Sequence, residues 1–127
     1  MKKTWFFLAL TFAIILAIGF GNIWLLNHGV EKMGEVLVPL EQAVYEDDWE
    51  GAARSFAKLD EIWRQERRLW QITIDHKDTE TIEVSLANLE AGIALADRVT
   101  TITAIYAVSH NIEHILYVEK LSWQNIL

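Results

Sequence analysis

His110-Asn111-Ile112-Glu113-His114 is the densest group of chemistry-bearing side chains in this sequence. Two histidines at i and i+4 share one face of a helix, where neutral imidazoles can hold zinc while the intervening glutamate polarises a metal-bound water. This is the H-x-x-E-H spacing of inverted zinc peptidases. That chemistry needs a third protein ligand and a substrate cleft, and only residues 115–127 follow His114. The sequence therefore predicts no enzyme: no catalytic residue, no cofactor and no resident metal. The alternative is a non-catalytic metal site built on His110, His114 and Glu113.

At about 100° per residue, His110, His114 and Tyr117 project roughly opposite to Ile105, Ile112, Ile115 and Leu116. The same outer face carries Tyr106 and Ala107 and no Lys or Arg. Aromatic enrichment with loss of charge marks the centres of protein interfaces, so Tyr106, His110, His114 and Tyr117 are the expected partner-facing residues, with a simple solvated face as the competing reading. Two carboxylates stand out for the opposite reason. Glu66 lies in line with Leu59, Trp63 and Trp70, and Glu119 with Ile112 and Ile115, on faces that otherwise read as apolar. Burying an acid is costly unless it is paired. Arg64, Arg67, Arg68 or His76 is the expected partner, in a structural ion pair rather than a functional acid. No Ser-His-Asp spacing, phosphate-cradling glycine loop or paired-carboxylate pocket is visible. The lack of cysteine excludes disulfides, thiolate metal sites and covalently attached c-type haem.

The elements that must position these groups begin with a run from Trp5 to Leu26 that carries no charge and is preceded by Lys2 and Lys3. At about 1.5 Å per residue the run makes roughly 33 Å of helix, enough to cross a hydrocarbon core of about 30 Å. A cleavable signal peptide is the competing reading, with Ala17-Ile18-Gly19 or Gly19-Phe20-Gly21 as its small-residue site. The apolar character persists through Leu26, too far for a signal segment, and Trp5 and Trp24 near the ends suit an aromatic belt. The expected division is a cytoplasmic N-terminus over residues 1–4, a single-pass plasma-membrane anchor over 5–26 and an extracytoplasmic helical domain over 27–127, oriented by Lys2 and Lys3. Within the span, Ala9, Ala13, Ala17 and Gly21 recur every four residues, a ridge of small side chains that lets a second helix approach closely. The body beyond it holds nine of the 11 basic residues against all 18 acidic ones. That balance argues against nucleic acid, whose phosphates call for a basic face.

One proline, six glycines and no sustained alternation predict an all-α body. Asn27-His28-Gly29 reads as a break after the span and Pro39 as a second interruption, with a new helix starting there. Asp47 and Asp48 cap a helix whose face is Trp49, Ala52, Phe56, Leu59, Trp63, Trp70 and Ile74. Asp75-His76-Lys77-Asp78 reads as a turn, with Asp78 as the cap of the next helix. Its apolar face is Ile82, Leu86, Leu89, Ile93 and Ala96, continued by Thr100, Ile105, Ile112, Ile115 and Leu116. One long helix to about Leu121 is favoured over two joined near Asp97 to Thr101. The expected body is an antiparallel helical hairpin or small helical bundle.

A lone N-terminal span, Asp48-Trp49 opening a long helix with Trp63 and Trp70, Asp75-His76-Lys77 at the turn, His110-Asn111-Ile112-Glu113-His114-Ile115 and the closing Leu121-Ser122-Trp123-Gln124-Asn125-Ile126-Leu127 together resemble the small membrane proteins grouped as domain of unknown function 4363. The resemblance covers nearly the whole chain. It implies a bacterial membrane setting in endospore-forming Firmicutes, with a spore membrane and sporulation as the narrower version, and association with small multi-span membrane proteins of the YetF type; it brings no catalytic residues. The function expected is a non-enzymatic membrane subunit or assembly partner that binds another membrane protein or itself. The alternatives are an extracytoplasmic small-ligand sensor bundle and a metal-binding protein using His110 and His114.

Overall fold

A computed structural model describes residues 1–126. Four helices, α1 (Lys2–Tyr45), α2 (Trp49–Thr73), α3 (His76–Ala94) and α4 (Arg98–Ile126), make up almost all of these residues, and no strand occurs among them. The connections are two or three residues long, which forces sequential helices to pack antiparallel. Each helix contacts its neighbours in sequence and α4 returns to α1, so the body is an up-down-up-down four-helix bundle. Its core takes Met33, Leu37, Leu40 and Val44 from α1, Leu59, Trp63 and Trp70 from α2, Ile82, Leu86 and Leu89 from α3, and Ile105, Val108, Ile112 and Ile115 from α4. These positions recur at three- and four-residue steps, the spacing that keeps one helix face on a core. Trp63 and Trp70 meet edge to face with centroids 5.5 Å apart, a favoured aromatic arrangement.

The breaks expected at Asn27-His28-Gly29 and at Pro39 do not form, and α1 is one helix of 44 residues. Gly29 is buried because α2 comes close: a Cβ there would lie 2.5 Å from Glu66 Oε2. Its small size serves packing rather than helix termination. Pro39 has no N–H to give the carbonyl of Glu35, but both residues are exposed, so water can take that carbonyl. Burial of Leu37, Leu40 and Val44 on the opposite side holds the helix together through the proline.

The single long helix expected after Asp78 is instead two, parted at Leu95–Asp97. Ala96 adopts φ 51°, and the N–H groups of Ala96 and Asp97 donate to the carbonyls of Ile93 and Gly92. That pattern is a Schellman C-cap, usually built on glycine. The Asp97 carboxylate then accepts the Thr100 hydroxyl at 2.6 Å, a hydrogen bond that holds its pKa below the ordinary aspartate value and opens α4. The α1–α2 turn repeats the device with Asp47 at φ 56° and Asp48 accepting the Gly51 N–H at 2.9 Å. Arg98 Nη2 joins the two turns through Asp47 Oδ1 at 2.7 Å.

Over much of their core the hairpins match at an offset of 49 residues. Met33, Leu37, Leu40, Ala43 and Val44 correspond to Ile82, Leu86, Leu89, Gly92 and Ile93, while Ala52, Leu59, Trp63 and Glu66 correspond to Thr101, Val108, Ile112 and Ile115; all are buried. Two smaller expectations change as well. Asp75, not Asp78, caps α3 by accepting the Lys77 N–H at 3.1 Å, and Ala96 and Thr100 are exposed while Thr101 takes the core position. Thr101 can be buried because its hydroxyl donates to the Asp97 carbonyl at 2.6 Å.

Candidate partner interface

Helix α4 turns one face inward and presents Tyr106, His110, His114 and Tyr117 on the other, with the tyrosines 58% and 61% exposed. The four residues predicted to share a surface therefore do share it. His110 and His114 lie with near-parallel rings, centroids 6.1 Å apart and planes 18° from each other. Among the described residues, no group of three or more His, Asp or Glu is placed to hold a metal ion.

The Tyr106 hydroxyl donates to Glu41 Oε1 at 3.2 Å, and that hydrogen bond, reinforced by the carboxylate's charge, pushes the phenol pKa up. The contact brings a second helix into the surface. Exposed Val38 and Tyr45 flank Glu41 on α1, and exposed Val99 precedes Tyr106 on α4. Val38 and Tyr45 were not anticipated as site residues. Their seven-residue spacing, offset from buried Leu37, Leu40 and Val44, is the signal that could have found them. Near the other end of α1, Ala9, Ala13, Ala17 and Gly21 are all exposed, and a Cβ added at Gly21 would meet nothing within 4 Å. The bundle makes no use of that ridge.

The family profile described as Domain of unknown function (DUF4363) matches residues 21–126. The chain belongs to the DUF4363 family. No curated protein and no solved structure matches it. The DUF4363 match begins close to where α1 begins to pack on the other helices, near Gly19 and Leu26, so it covers the bundle and leaves out most of the exposed apolar stretch before it.

Of the two acids that the sequence places on apolar faces in this DUF4363 protein, Glu66 is buried, 8% exposed, beneath Gly29. Its cation is Lys32 of α1, Nζ to Oε1 4.0 Å, rather than a nearby arginine. Arg64 pairs with Asp60 at 2.9 Å and Arg67 with Glu83 at 2.7 Å. Glu119 has no ion-pair partner among the described residues, and burial together with the charge of Asp78 pushes its pKa up. The folded state then keeps the Glu119 proton to higher pH than the unfolded chain. Stability falls as pH rises from the ordinary carboxylate value through the raised one, and stays lowered above it. Glu119→Gln is expected to raise stability at neutral pH by under about 1 kcal/mol, because the group is only partly buried, and to flatten the pH dependence in that window. Chemical denaturation of both forms across the carboxylate range measures this, and parallel curves would show that Glu119 ionises freely.

Proposed function

We propose that this DUF4363 protein is a non-enzymatic membrane subunit, held in the plasma membrane by residues 5–26 with its N-terminus cytoplasmic, whose bundle docks outside on another membrane protein. The observation that carries the reading is the uncovered face of Tyr106, His110, His114 and Tyr117 on α4, extended by Val38 and Tyr45 on α1. Isolated exposed apolar residues are ordinary, but exposed aromatic side chains recurring at three- and four-residue steps from Tyr106 to Tyr117, with no Lys or Arg between them, resemble an interface centre. The anchor draws on α1, whose N-terminal part is long and apolar enough to cross a membrane and is almost entirely uncovered by the bundle. The small-residue ridge of Ala9, Ala13, Ala17 and Gly21 is a second contact with the same partner inside the bilayer. A multi-span protein of the YetF type fits both contacts.

The test is co-purification from native membranes, comparing the wild type with Tyr106→Lys/Tyr117→Lys and with Ala13→Leu/Ala17→Leu. Both pairs are exposed, so folding should survive. Each double variant is expected to lose a partner that the wild type retains, since lysines desolvated at an interface centre and leucines filling a close-packing groove both oppose contact. Equal recovery of the same proteins by all three forms would sink the reading.

A further inference from the structure

The foot of the bundle lies alongside the apolar run of α1 rather than above it. Gly19, well inside the run, is buried under the indole of Trp123, into whose ring a Cβ at that glycine would run. Leu16, Phe20 and Ile23 line the same contact. One turn up α1, Asn22 Oδ1 accepts the Thr73 hydroxyl at 3.1 Å, which sets the end of α2 and its turn into α3 at that height. No linker separates bundle from span, because α1 is helical from Lys2 to Tyr45.

Length then becomes decisive. From Trp5 to Gly19 the helix rises roughly 21 Å at about 1.5 Å per residue, short of a hydrocarbon core of about 30 Å. About 9 Å of core thickness must be met by the level at which the end of α4 is already packed on α1. Thinning the bilayer by that much is unfavourable, at a fraction of a kcal/mol per Å.

Resting on the anchor reading above, we infer that the foot of the bundle is immersed in the outer leaflet, with the last turns of α4 and the end of α2 as a lipid-contacting surface. Large apolar side chains are open there, beside exposed Arg68, Gln71, Lys120, Gln124 and Asn125, whose polar ends must reach the headgroup region. Ile72 is 81% exposed and Ile126 63%, with Leu69 and Leu121 also open. Asn22 and Thr73 satisfy each other, as polar groups at that depth must. Asp75, in the α2–α3 turn, and His76 and Lys77, which open α3, are all exposed, so their charged ends must reach up to the headgroups and water. The acidic turns at Asp47, Asp48 and Asp97 lie at the opposite end of the bundle, away from an anionic membrane surface.

The sequence contains no cysteine, so single-cysteine labelling is clean. Full-length Ile72→Cys and Ile126→Cys, each carrying a nitrobenzoxadiazole fluorophore, would be reconstituted into phosphatidylcholine/phosphatidylglycerol vesicles containing lipids spin-labelled high on the acyl chain. Phe12→Cys, probed with lipids spin-labelled deep in the chain, reports the anchor, and exposed Ala53→Cys at the far end of the bundle reports a solvated site. Labels at 72 and 126 are expected to be blue-shifted and to lose most of their emission, while the label at 53 loses none. A quenched Phe12 site with sites 72 and 126 as bright as site 53 would overturn the immersed foot and leave the anchor standing. An unquenched Phe12 site would overturn the anchor and the foot together.

Discussion

Trp63→Ala is expected to destabilise the bundle by about 3–5 kcal/mol, the cost of deleting a large aromatic from a core that cannot fully collapse around the gap. Trp63 is 3% exposed and lies between buried Leu59 and Trp70 on the inner face of α2. Its edge-to-face contact with Trp70 adds to the loss. A body of this size should melt more than about 10 °C lower. Trp63→Phe keeps a ring in the cavity and should cost less than half as much. Thermal or urea unfolding of full-length protein in detergent, followed by circular dichroism, measures both variants. A Trp63→Ala protein that melts with the wild type would mean that α2 turns a different face to its neighbours.

The inner face of α2 was legible because its signals were local and strong. Asp48 caps the helix, and a run of tryptophan, phenylalanine and leucine at three- and four-residue steps leaves one choice of phase. The outer face of α4 was legible for the same reason, since the phase set by Ile105, Ile112 and Ile115 puts Tyr106, His110, His114 and Tyr117 opposite them. What escaped depended on groups distant in sequence or on backbone choices with no residue signature. The left-handed cap at Ala96 uses an alanine where glycine or asparagine would have announced it. Pro39 looked like a helix end, but a helix with one side buried can tolerate a missing hydrogen bond on its wet side. The cation facing Glu66 comes from Lys32 on another helix, and Val38 and Tyr45 join the α4 surface only once Tyr106 has reached Glu41.

Gly92→Ala is expected to cost about 2–3 kcal/mol, near the upper end of what overpacking usually does, because the new methyl group would meet backbone. An added Cβ would lie 2.6 Å from Thr101 Oγ1, 2.9 Å from Thr101 N and 3.0 Å from Thr101 Cα, so α4 itself would have to move away from α3. The 49-residue correspondence explains why glycine is needed at this place. In the first hairpin the equivalent pair is Ala43 with Ala52; in the second it is Gly92 with Thr101, a smaller residue facing a larger one in the same space. Two comparisons isolate the cause. Removing the threonine side chain in Gly92→Ala/Thr101→Ala should restore little, because the nitrogen and Cα clashes persist and the buried hydroxyl's hydrogen bond to Asp97 is lost. Gly29→Ala, equally buried, should cost less, since its obstacle is the end of the Glu66 side chain, which can swing aside where backbone cannot. Denaturant midpoints for the three proteins decide the matter. A Gly92→Ala protein as stable as the wild type, or one fully rescued by the threonine change, would show that the α3–α4 crossing is held open by side chains rather than closed to backbone contact.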